Sequence, residues 1–559
     1  MKGRTFLTTL LIGILCLSLL LAGCGSKEPV DQSGESSSGE ANSGNDTALG
    51  GESNFNPTGY PIVKEKVTLT ALVNNYSADF PDDYNKFNLV KKAEETTNVH
   101  IEWIMPGSGF EEQKSLLLAS DDLPDIIFGC NDFELIKYGG DGVLLPLEDL
   151  IDKYTVNLKR IFEEHPATKA LVTAPDGHIY TTPRVNEGPW MYREGMGVGV
   201  INVKWIEDLG LKMPTTIDEF EEVMKAFKTQ DPNNNGIADE IPITANGDPM
   251  TMHGLGYLMD SFGVSARWHF ADVRDGKVVF IGTLPEYKEA IKWLSKLWAQ
   301  GLIDQEWFTQ DYTKKASKLN NDPYIVGYAD LWDINDDFGT EKAHEYYDYM
   351  PPLKGPGGRD PIMYRAAYPG YDRFGAVITR ACEMPEVAIR YIDYIYDTYN
   401  SIEWIEGEFD VRLKKHEEGY YYIPDPPEGM NQQQWRCQSC PAHSVTWAVF
   451  EDGYKNILRL TYTDQKVNFM EQYVKPYAEK DPWPPVFRTI EEEERYNQID
   501  SAIIPYANMK AAEWIMNGTI DEEWDAYIEE LNKMGLNDWL SINQAAYDRW
   551  QGVLQNASK

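Results

Sequence analysis

The chain has 559 residues, a formal net charge of −38 and a pI of about 4.6. So acidic a chain would be repelled by nucleic acid and by anionic lipid, so we expect no nucleic-acid partner. Aromatic residues make up 12% of it, whereas acidic disordered chains contain few, so we expect a largely globular protein of more than one domain.

The first 23 residues, MKGRTFLTTLLIGILCLSLLLAG, are typical of a secretory signal peptide. A basic start at Lys2 and Arg4 precedes an apolar run that is too short for a stable membrane anchor. The ending LAGC resembles the lipobox of bacterial lipoproteins, which implies cleavage before Cys24 and diacylation of its thiol. A plain signal peptide with an incidental cysteine is the alternative.

Residues 24–58 are rich in Ser, Gly, Glu and Asn and contain almost nothing to bury. We interpret this segment as a flexible tether that holds the folded part off the membrane. The mature chain would then sit on the extracellular face of the plasma membrane, attached to it only through lipid.

Strand and helix patterns alternate at the start of the folded part. The predicted order is strand 66–75, helix 84–96, strand 98–106, helix 110–120 and strand 123–129. This order predicts a parallel sheet wrapped by helices, and therefore an α/β protein.

Further along, Asp-Gly in APDGHIYTTP (174–183) predicts a hairpin turn. The segment GMGVG (195–199) has close glycines but lacks the spacing of a phosphate loop, so we interpret it as a strand. Helical patterns dominate the remainder, at 216–228, 285–300, 384–398, 491–517 and 519–534.

The segment DPNNNGIADE (231–240) has the pattern of a calcium loop, with oxygen-bearing side chains at alternate positions and a glycine for the sharp turn. Pro242 stands where an EF-hand has its bidentate glutamate, and Glu240 is the natural substitute. A helix precedes the loop but a strand follows it, so we predict a structural ion rather than a helix-loop-helix switch. The predicted Ca²⁺ ligands are Asp231, Asn233, Asn235, the Ile237 carbonyl, Asp239 and Glu240. A solvated Asn/Gly turn is the alternative.

The order of these pieces resembles the extracellular solute-binding proteins of ABC importers, the family of the maltose-binding protein. Four stretches carry the resemblance: LPDIIFGCND (123–132), LLPLEDLID (144–152), GVINVKWIEDLGLKMPTTIDEFEEVMKAF (199–227) and FGAVITRACEMPEVAIRYIDYIYD (374–397). The likeness covers about residues 66–400. Within that family, alginate-oligosaccharide binders are similar in having a calcium loop.

The resemblance implies a two-lobed periplasmic-binding-protein-like α/β fold with three interlobe crossings and a ligand cleft between the lobes. The N-terminal lobe would contain residues 59–196 and 380–430. The C-terminal lobe would contain residues 197–379 and 431–559.

By the same resemblance, ligand would meet the loops after the core strands and the edges of the cleft. Aromatic faces match the C–H faces of a pyranose, while Asp, Asn and Arg satisfy its hydroxyl groups. The candidate substrate-binding residues are Asn75, Tyr76, Asn131, Asp132, Trp190, Trp268, Trp332, Tyr371 and Arg373. For each single tryptophan a core position is equally open. Arg184 or Arg373 could pair with a uronate carboxylate.

The resemblance implies a non-enzyme, a monomeric lipid-anchored receptor that delivers an oligosaccharide to the permease subunits of an ABC transporter. The alternatives are an extracellular polysaccharide-degrading glycosidase or lyase, and a peptide or lipopeptide receptor on the same fold. Cys437 and Cys440 form CQSC, interpreted as free thiols or a small-loop disulfide, because neither a redox fold nor enough further zinc ligands surrounds them.

Overall fold

The computed structural model describes residues 53–188, 197–251, 253–265, 269–338, 343–364, 371–460 and 464–557. Cys24, Trp190 and Trp268 therefore lie outside the described residues. Within the described ranges, no helix combines the length and apolar character needed to cross a bilayer.

The strands are β1 (Val67–Leu72), β2 (Val99–Ile104), β3 (Ile126–Phe128), β4 (Arg184–Asn186), β5 (Val198–Asn202), β6 (Ile241–Ile243), β7 (Ala271–Arg274), β8 (Lys277–Phe280), β9 (Val326–Leu331), β10 (Tyr347–Tyr349), β11 (Tyr371–Asp372), β12 (Ala376–Ile378), β13 (Lys414–Lys415), β14 (Tyr421–Tyr422), β15 (Ala448–Val449) and β16 (Leu458–Arg459).

The helices are α1 (Asn88–Thr97), α2 (Phe110–Leu118), α3 (Asp132–Gly140), α4 (Glu148–Tyr154), α5 (Asn157–Glu164), α6 (Pro166–Val172), α7 (Val203–Asp208), α8 (Ile217–Thr229), α9 (Gly256–Met259), α10 (Pro285–Ala299), α11 (Tyr312–Leu319), α12 (Ile334–Phe338), α13 (Ala343–Tyr346), α14 (Pro385–Ile395), α15 (Thr398–Glu406), α16 (Gln432–Cys437), α17 (Glu451–Asn456), α18 (Asp464–Phe469), α19 (Ile490–Asn517), α20 (Ile520–Met534) and α21 (Leu536–Ala557).

The first sheet has the order β12-β3-β1-β2. Strand β1 pairs in parallel with both β2 and β3, and β12 returns to pair antiparallel with β3. The short strand β3 is buried along its whole length, as a continuous apolar run in a helix-covered sheet should be. This confirms the predicted strand-helix-strand order at the start of the fold.

The second sheet has the order β10-β5-β9-β6. Its strand β5 begins at Val198, inside the GMGVG segment, which confirms the strand prediction for Val198 and Gly199. Gly199 is needed there because a Cβ would lie 2.5 Å from the hydroxyl of Tyr328 and 2.8 Å from the ring of Tyr257. Strand β6 pairs in parallel with β9, whereas β5 pairs antiparallel with β9 and β10.

Two large apolar cores accompany the two sheets. One takes residues from Ile62 to Val185 and from Ala376 to Ala448, and the other takes residues from Val198 to Met363 and from Met470 to Trp539. The chain therefore passes between the cores near β5 and near β11–β12, and again between Leu460, which packs in a cluster with Ile402, and Met470. The lobe boundary at residue 431 stays a prediction, and the apolar clusters divide later than that.

The five long helical patterns match α8, α10, α14, α19 and α20 within a few residues. Thr216 caps α8 through its side chain, and Thr489 forms a capping box with Glu492 at the start of α19.

The predicted hairpin at 174–183 is a tight turn with one isolated bridge, Thr173 to Ile179, because the chain then joins β4 in another sheet. Residues 54–56, predicted to end the tether, pack on the folded part: Asn56 donates to the Ile62 carbonyl.

Candidate ligand-binding site

The loop after β1 carries Asn75 and Tyr76, two of the predicted ligand residues. Asn75 accepts a 2.6 Å hydrogen bond from the backbone N–H of Gly107 and so ties this loop to the one after β2. The Tyr76 ring is 42% exposed and rests edge-on against Phe80 at 5.1 Å. A partly exposed aromatic ring held at the carboxyl end of a parallel strand suits contact with a ligand.

The loop after β3 ends at Asn131 and Asp132, where α3 begins. Asn131 caps the helix: its side chain accepts from the Glu134 N–H at 2.9 Å, and Glu134 accepts from the Asn131 N–H at 2.8 Å. Asp132, in the first turn, pairs with Arg373 at 2.7 Å. The capping box explains the local geometry that presents Asp132.

Arg373 is 4% exposed and holds several segments together. Its guanidinium group donates to Asp132 and to the carbonyls of Leu171, Pro485 and Val486. It also stacks on Phe487, with its carbon 3.6 Å from the ring centroid. A planar guanidinium group with many donors suits such a crowded position.

A cavity of about 450 Å³ opens beside Arg373, where α3, β11 and α19 meet. We name it the Asp132 cavity; its lining residues are Asn131, Asp132, Phe133, Leu171, Tyr371, Asp372, Arg373, Phe374, Pro485, Glu493 and Asn497. It brings together four predicted ligand residues, namely Asn131, Asp132, Tyr371 and Arg373. Its volume and its mixture of aromatic, carboxylate and amide groups suit a hydroxyl-rich ligand.

Sequence reasoning missed Asp372, Glu493 and Asn497 as lining residues. Asp372 accepts two hydrogen bonds from Arg184, at 2.8 and 2.9 Å, because β11 pairs with β4. Glu493 lies in the first turn of α19, and burial raises its pKa although the nearby Arg488 acts to lower it. No local pattern marks these residues, since each reaches the cavity through a long-range pairing.

A second patch adjoins the cavity through Arg184. This arginine donates at 2.8 Å to the carbonyl of His443, whose ring lies 6.4 Å from that of Tyr76. Gln433, on α16, donates to the Tyr76 hydroxyl at 3.2 Å. The exposed Tyr76 ring and the cavity are therefore joined by one chain of contacts through Arg184 and Asp372.

Trp332 is absent from the lining of the Asp132 cavity. It directly follows β9, a strand of the second sheet, and its backbone N–H donates a hydrogen bond to Asp337 at 3.1 Å. The ammonium group of Lys466 lies 4.2 Å from the centroid of its ring. Its predicted role in binding stays a prediction, as do those of Trp190 and Trp268, which lie outside the described residues.

Residues 231–240 form a tight loop between α8 and β6. Asp231 accepts from the N–H groups of Asn235 and Gly236 at 3.2 and 3.0 Å, and the amide groups of Asn233 and Asn235 donate to Asp239 at 3.1 to 3.2 Å. One buried carboxylate oxygen of Glu240 has no hydrogen-bond partner. Burial raises the pKa of Glu240, and the carboxylates of Asp239 and Asp231 raise it further.

This donor set fits a hard cation. The loop contains two amides and three carboxylates, and the carboxylate oxygen of Glu240 without a partner is a group that a cation would satisfy. Among the described residues, no three His, Cys, Asp or Glu side chains by themselves make a metal centre, so amide and carbonyl oxygens would have to complete this one.

Cys437 and Cys440 are free, buried thiols at the end of α16. Burial raises the pKa of both, to about 12 for Cys440. Both therefore stay protonated at neutral pH and lack the thiolate character of a reactive pair.

The model of the bacterial extracellular solute-binding protein family matches residues 75–398. Over 569 aligned residues the chain is 33% identical to the fructooligosaccharide ABC transporter substrate-binding protein FusA of Streptococcus pneumoniae serotype 4 (strain ATCC BAA-334 / TIGR4), with 99% of each chain covered. It is 24% identical, over 66% of its length and 67% of the relative's, to the polygalacturonan/rhamnogalacturonan-binding protein YtcQ of Bacillus subtilis (strain 168).

Solved structures agree with these similarities. The structure of S. pneumoniae FusA in complex with kestose superposes with a TM-score of 0.78 at 33% identity, covering 87% of this chain and 100% of that one. A FusA EF-hand mutant in complex with fructo-nystose gives the same values. These matches extend beyond the residues of the family model and establish the two-lobed fold over most of the chain.

Proposed function

We propose that this chain, which belongs to the bacterial extracellular solute-binding protein family, binds an oligosaccharide outside the cell and delivers it to the permease subunits of an ABC transporter. FusA, which is similar over nearly the whole length, is a fructooligosaccharide-binding protein of this kind. The ligand class here is a sugar, and the partner is a transporter rather than a nucleic acid or another soluble enzyme.

The Asp132 cavity is the observation that carries the proposal. It offers Tyr371, Phe133 and Phe374 as aromatic surfaces and Asp132 and Asp372 as acceptors for hydroxyl groups. Each of those carboxylates is held in place by an arginine, so the acceptors are preorganised before a sugar arrives. The contacts from Asp372 through Arg184 and His443 to Tyr76 extend the surface toward a ligand longer than one sugar unit.

The rival functions are a polysaccharide-degrading enzyme and a peptide or lipopeptide receptor on the same fold. The relatives are solute-binding proteins, which supports a receptor without a catalytic residue. The sugar named for FusA supports carbohydrate over peptide.

The lipid anchor and the calcium ion belong to the same proposal. Cys24, at the end of the LAGC sequence, is the acylation site that would hold the receptor, as a monomer, on the extracellular face of the plasma membrane. The 231–240 loop would hold one Ca²⁺ between Asp231, Asn233, Asn235, Ile237, Asp239 and Glu240. The calcium ion would supply positive charge that links α8 to β6, remote from the sugar.

The test is a thermal-shift screen of the secreted chain against a panel of oligosaccharides and peptides, followed by calorimetry on the hits. We expect at least one oligosaccharide to raise the melting temperature and to be recovered unchanged.

Asp132→Asn should weaken binding about tenfold or more, since a hydrogen bond to a charged group contributes roughly 1.5–3 kcal/mol. Asp141→Asn, an exposed aspartate at the other end of α3, is the matched control. Hydrolysis of the sugar, or binding of peptides alone, would overturn the proposal.

A further inference from the structure

We infer that the Asp132 cavity selects uncharged oligosaccharides and rejects sugars that carry carboxylate groups. This inference rests on the proposed function and narrows its substrate class. It comes from the pairing of acidic and basic groups around the cavity: among the described lining residues the carboxylates are accessible to hydroxyl groups, and the single cation, Arg373, is already paired with Asp132.

Each aspartate in the cavity wall has an arginine partner. A guanidinium nitrogen of Arg373 lies 2.7 Å from a carboxylate oxygen of Asp132. Arg184 donates two hydrogen bonds, of 2.8 and 2.9 Å, to the two carboxylate oxygens of Asp372. Among the described residues that line the cavity, Arg373 is the one cation, whereas Asp132, Asp372 and Glu493 are acids. The positive charge beside the cavity is therefore already matched by protein carboxylates.

The pairs are oriented with the acids toward the open space. The side chains of Asp132 and Asp372 are 32% and 35% exposed, whereas those of Arg373 and Arg184 are 4% and 16% exposed. A ligand entering the cavity thus meets carboxylate oxygens with free lone pairs before it meets a guanidinium group. Carboxylate oxygens accept hydrogen bonds from sugar hydroxyl groups and repel a second carboxylate.

Protein acceptors already occupy most of the N–H groups of both arginines. Every nitrogen of Arg373 already donates, to Leu171, Asp132, Pro485 and Val486. Every nitrogen of Arg184 donates as well, to Asp372 and His443. A uronate that paired with either arginine would have to compete with Asp132 or Asp372 and would lie beside that carboxylate, so the two negative charges would repel each other.

The direct experiment is calorimetry on the intact secreted chain. It compares the affinities of neutral and charged oligosaccharides, including one pair of nearly the same shape, trigalacturonate and its methyl ester. The neutral probes are kestose, nystose and the methyl ester of trigalacturonate, and the charged probes are free trigalacturonate and trimannuronate. We expect at least one neutral probe to bind, and each uronate to bind at least about 100-fold more weakly at low salt, because like charges at an interface cost several kcal/mol.

The outcomes separate the inference from the function on which it rests. A uronate that binds as tightly as the neutral probes, or more tightly, overturns the charge selection while leaving an oligosaccharide receptor in place. Binding of no sugar of either kind overturns the proposed function, and this inference with it.

A second experiment changes the protein rather than the ligand. Asp132→Asn combined with Asp372→Asn keeps the shape and releases Arg373 and Arg184, so the preference for a neutral probe over a uronate should fall at least tenfold. Uronate binding by this variant should also weaken as salt is added. Asp141→Asn is the control and should leave the preference unchanged. If the double variant has a melting curve unlike that of the parent, the Asp372→Asn variant alone replaces it, and an unchanged preference in a folded variant counts against the inference.

Discussion

At the scale of single residues, Arg373 shows how position decides what a side chain does. The residue lies near a crossing, and the sequence predicts that it contacts the ligand and could pair with a uronate carboxylate. In the fold its donors are used by Asp132 and by three carbonyl groups, and its face lies on Phe487. Its action on a ligand in this arrangement is to orient Asp132, whose carboxylate stays accessible.

Trp332 gives the prediction that belongs to this scale. If its ring stacks on a sugar, Trp332→Ala should weaken binding by about 1–1.5 kcal/mol, roughly tenfold, because an aromatic–ligand stack is lost. Trp332→Phe should restore most of the affinity, and calorimetry with a confirmed oligosaccharide is the measurement. An unchanged affinity in a folded Trp332→Ala protein would instead assign the ring to packing beneath Lys466.

At the scale of elements, the loop between α8 and β6 joins two pieces that belong to the same core. Its acidic side chains crowd together, with Asp231 and Asp239 both acting on Glu240. The amides of Asn233 and Asn235 offset part of this repulsion by donating to Asp239. A cation would offset the rest and hold the end of α8 against the start of β6.

Chelation should therefore lower the melting temperature, and added calcium should restore it. A ligand that binds only the folded state stabilises it by about 2.7 kcal/mol at a concentration roughly 100 times its Kd. The Asp231→Ala protein should have the melting temperature of the chelated parent, and neither chelator nor calcium should change it. Glu222→Ala is the control, because the Glu222 side chain lies on α8 and is 74% exposed. The melting temperature of this variant should respond to chelator and to calcium as that of the parent does.

Two results would contradict the calcium prediction. One is a melting temperature that chelator does not change, together with no metal found by elemental analysis. The other is an ion that contacts the bound sugar, which would give the loop a part in recognition rather than in stability alone.

At the scale of the whole molecule, two sheets with separate cores are joined by chain segments that pass between them. Such a fold can bind a ligand between its two halves, as at the Asp132 cavity, which is lined by α3, whose Leu135 packs with Leu72 and Ile127 of the first sheet, and by α19 of the second core. A receptor that delivers its ligand to a transporter gains from staying near it, and the lipid anchor that we propose at Cys24 would keep it there.

We expect Cys24→Ser to abolish acylation, so that metabolic labelling with a radioactive fatty acid leaves the variant unlabelled and the chain is released or kept as a precursor. Cys16→Ser, within the part removed by cleavage, should still be labelled and is the control. Lipid incorporated into the Cys24→Ser protein at the level of the parent would be incompatible with this anchor.

The main elements could be predicted because their causes are local. Apolar periodicity, capping residues such as Thr216 and Thr489, and the continuous run of β3 act over a few neighbours, and the structure has these elements close to the predicted bounds. The structure of residues 397–460 was not predicted. Its strands β13, β14 and β16 are only two residues long and show no alternation, and its apolar cluster, which contains Ile402 and Leu460, is separate from the two large cores.

The sequence by itself determined the fold class and the order of the main elements, since these depend on residues adjacent in the chain, and the signal and the donors of the 231–240 loop stay predictions of the same local kind. Only the tertiary structure decided that Asp132 meets Arg373 across 241 positions, and that Arg184 meets Asp372 across 188. The physical reason is that both pairs are set by strand register, that of β12 on β3 for the first pair and that of β11 on β4 for the second. Neither leaves a periodic trace in the sequence, so the charge arrangement of the candidate site becomes visible only once the chain is folded.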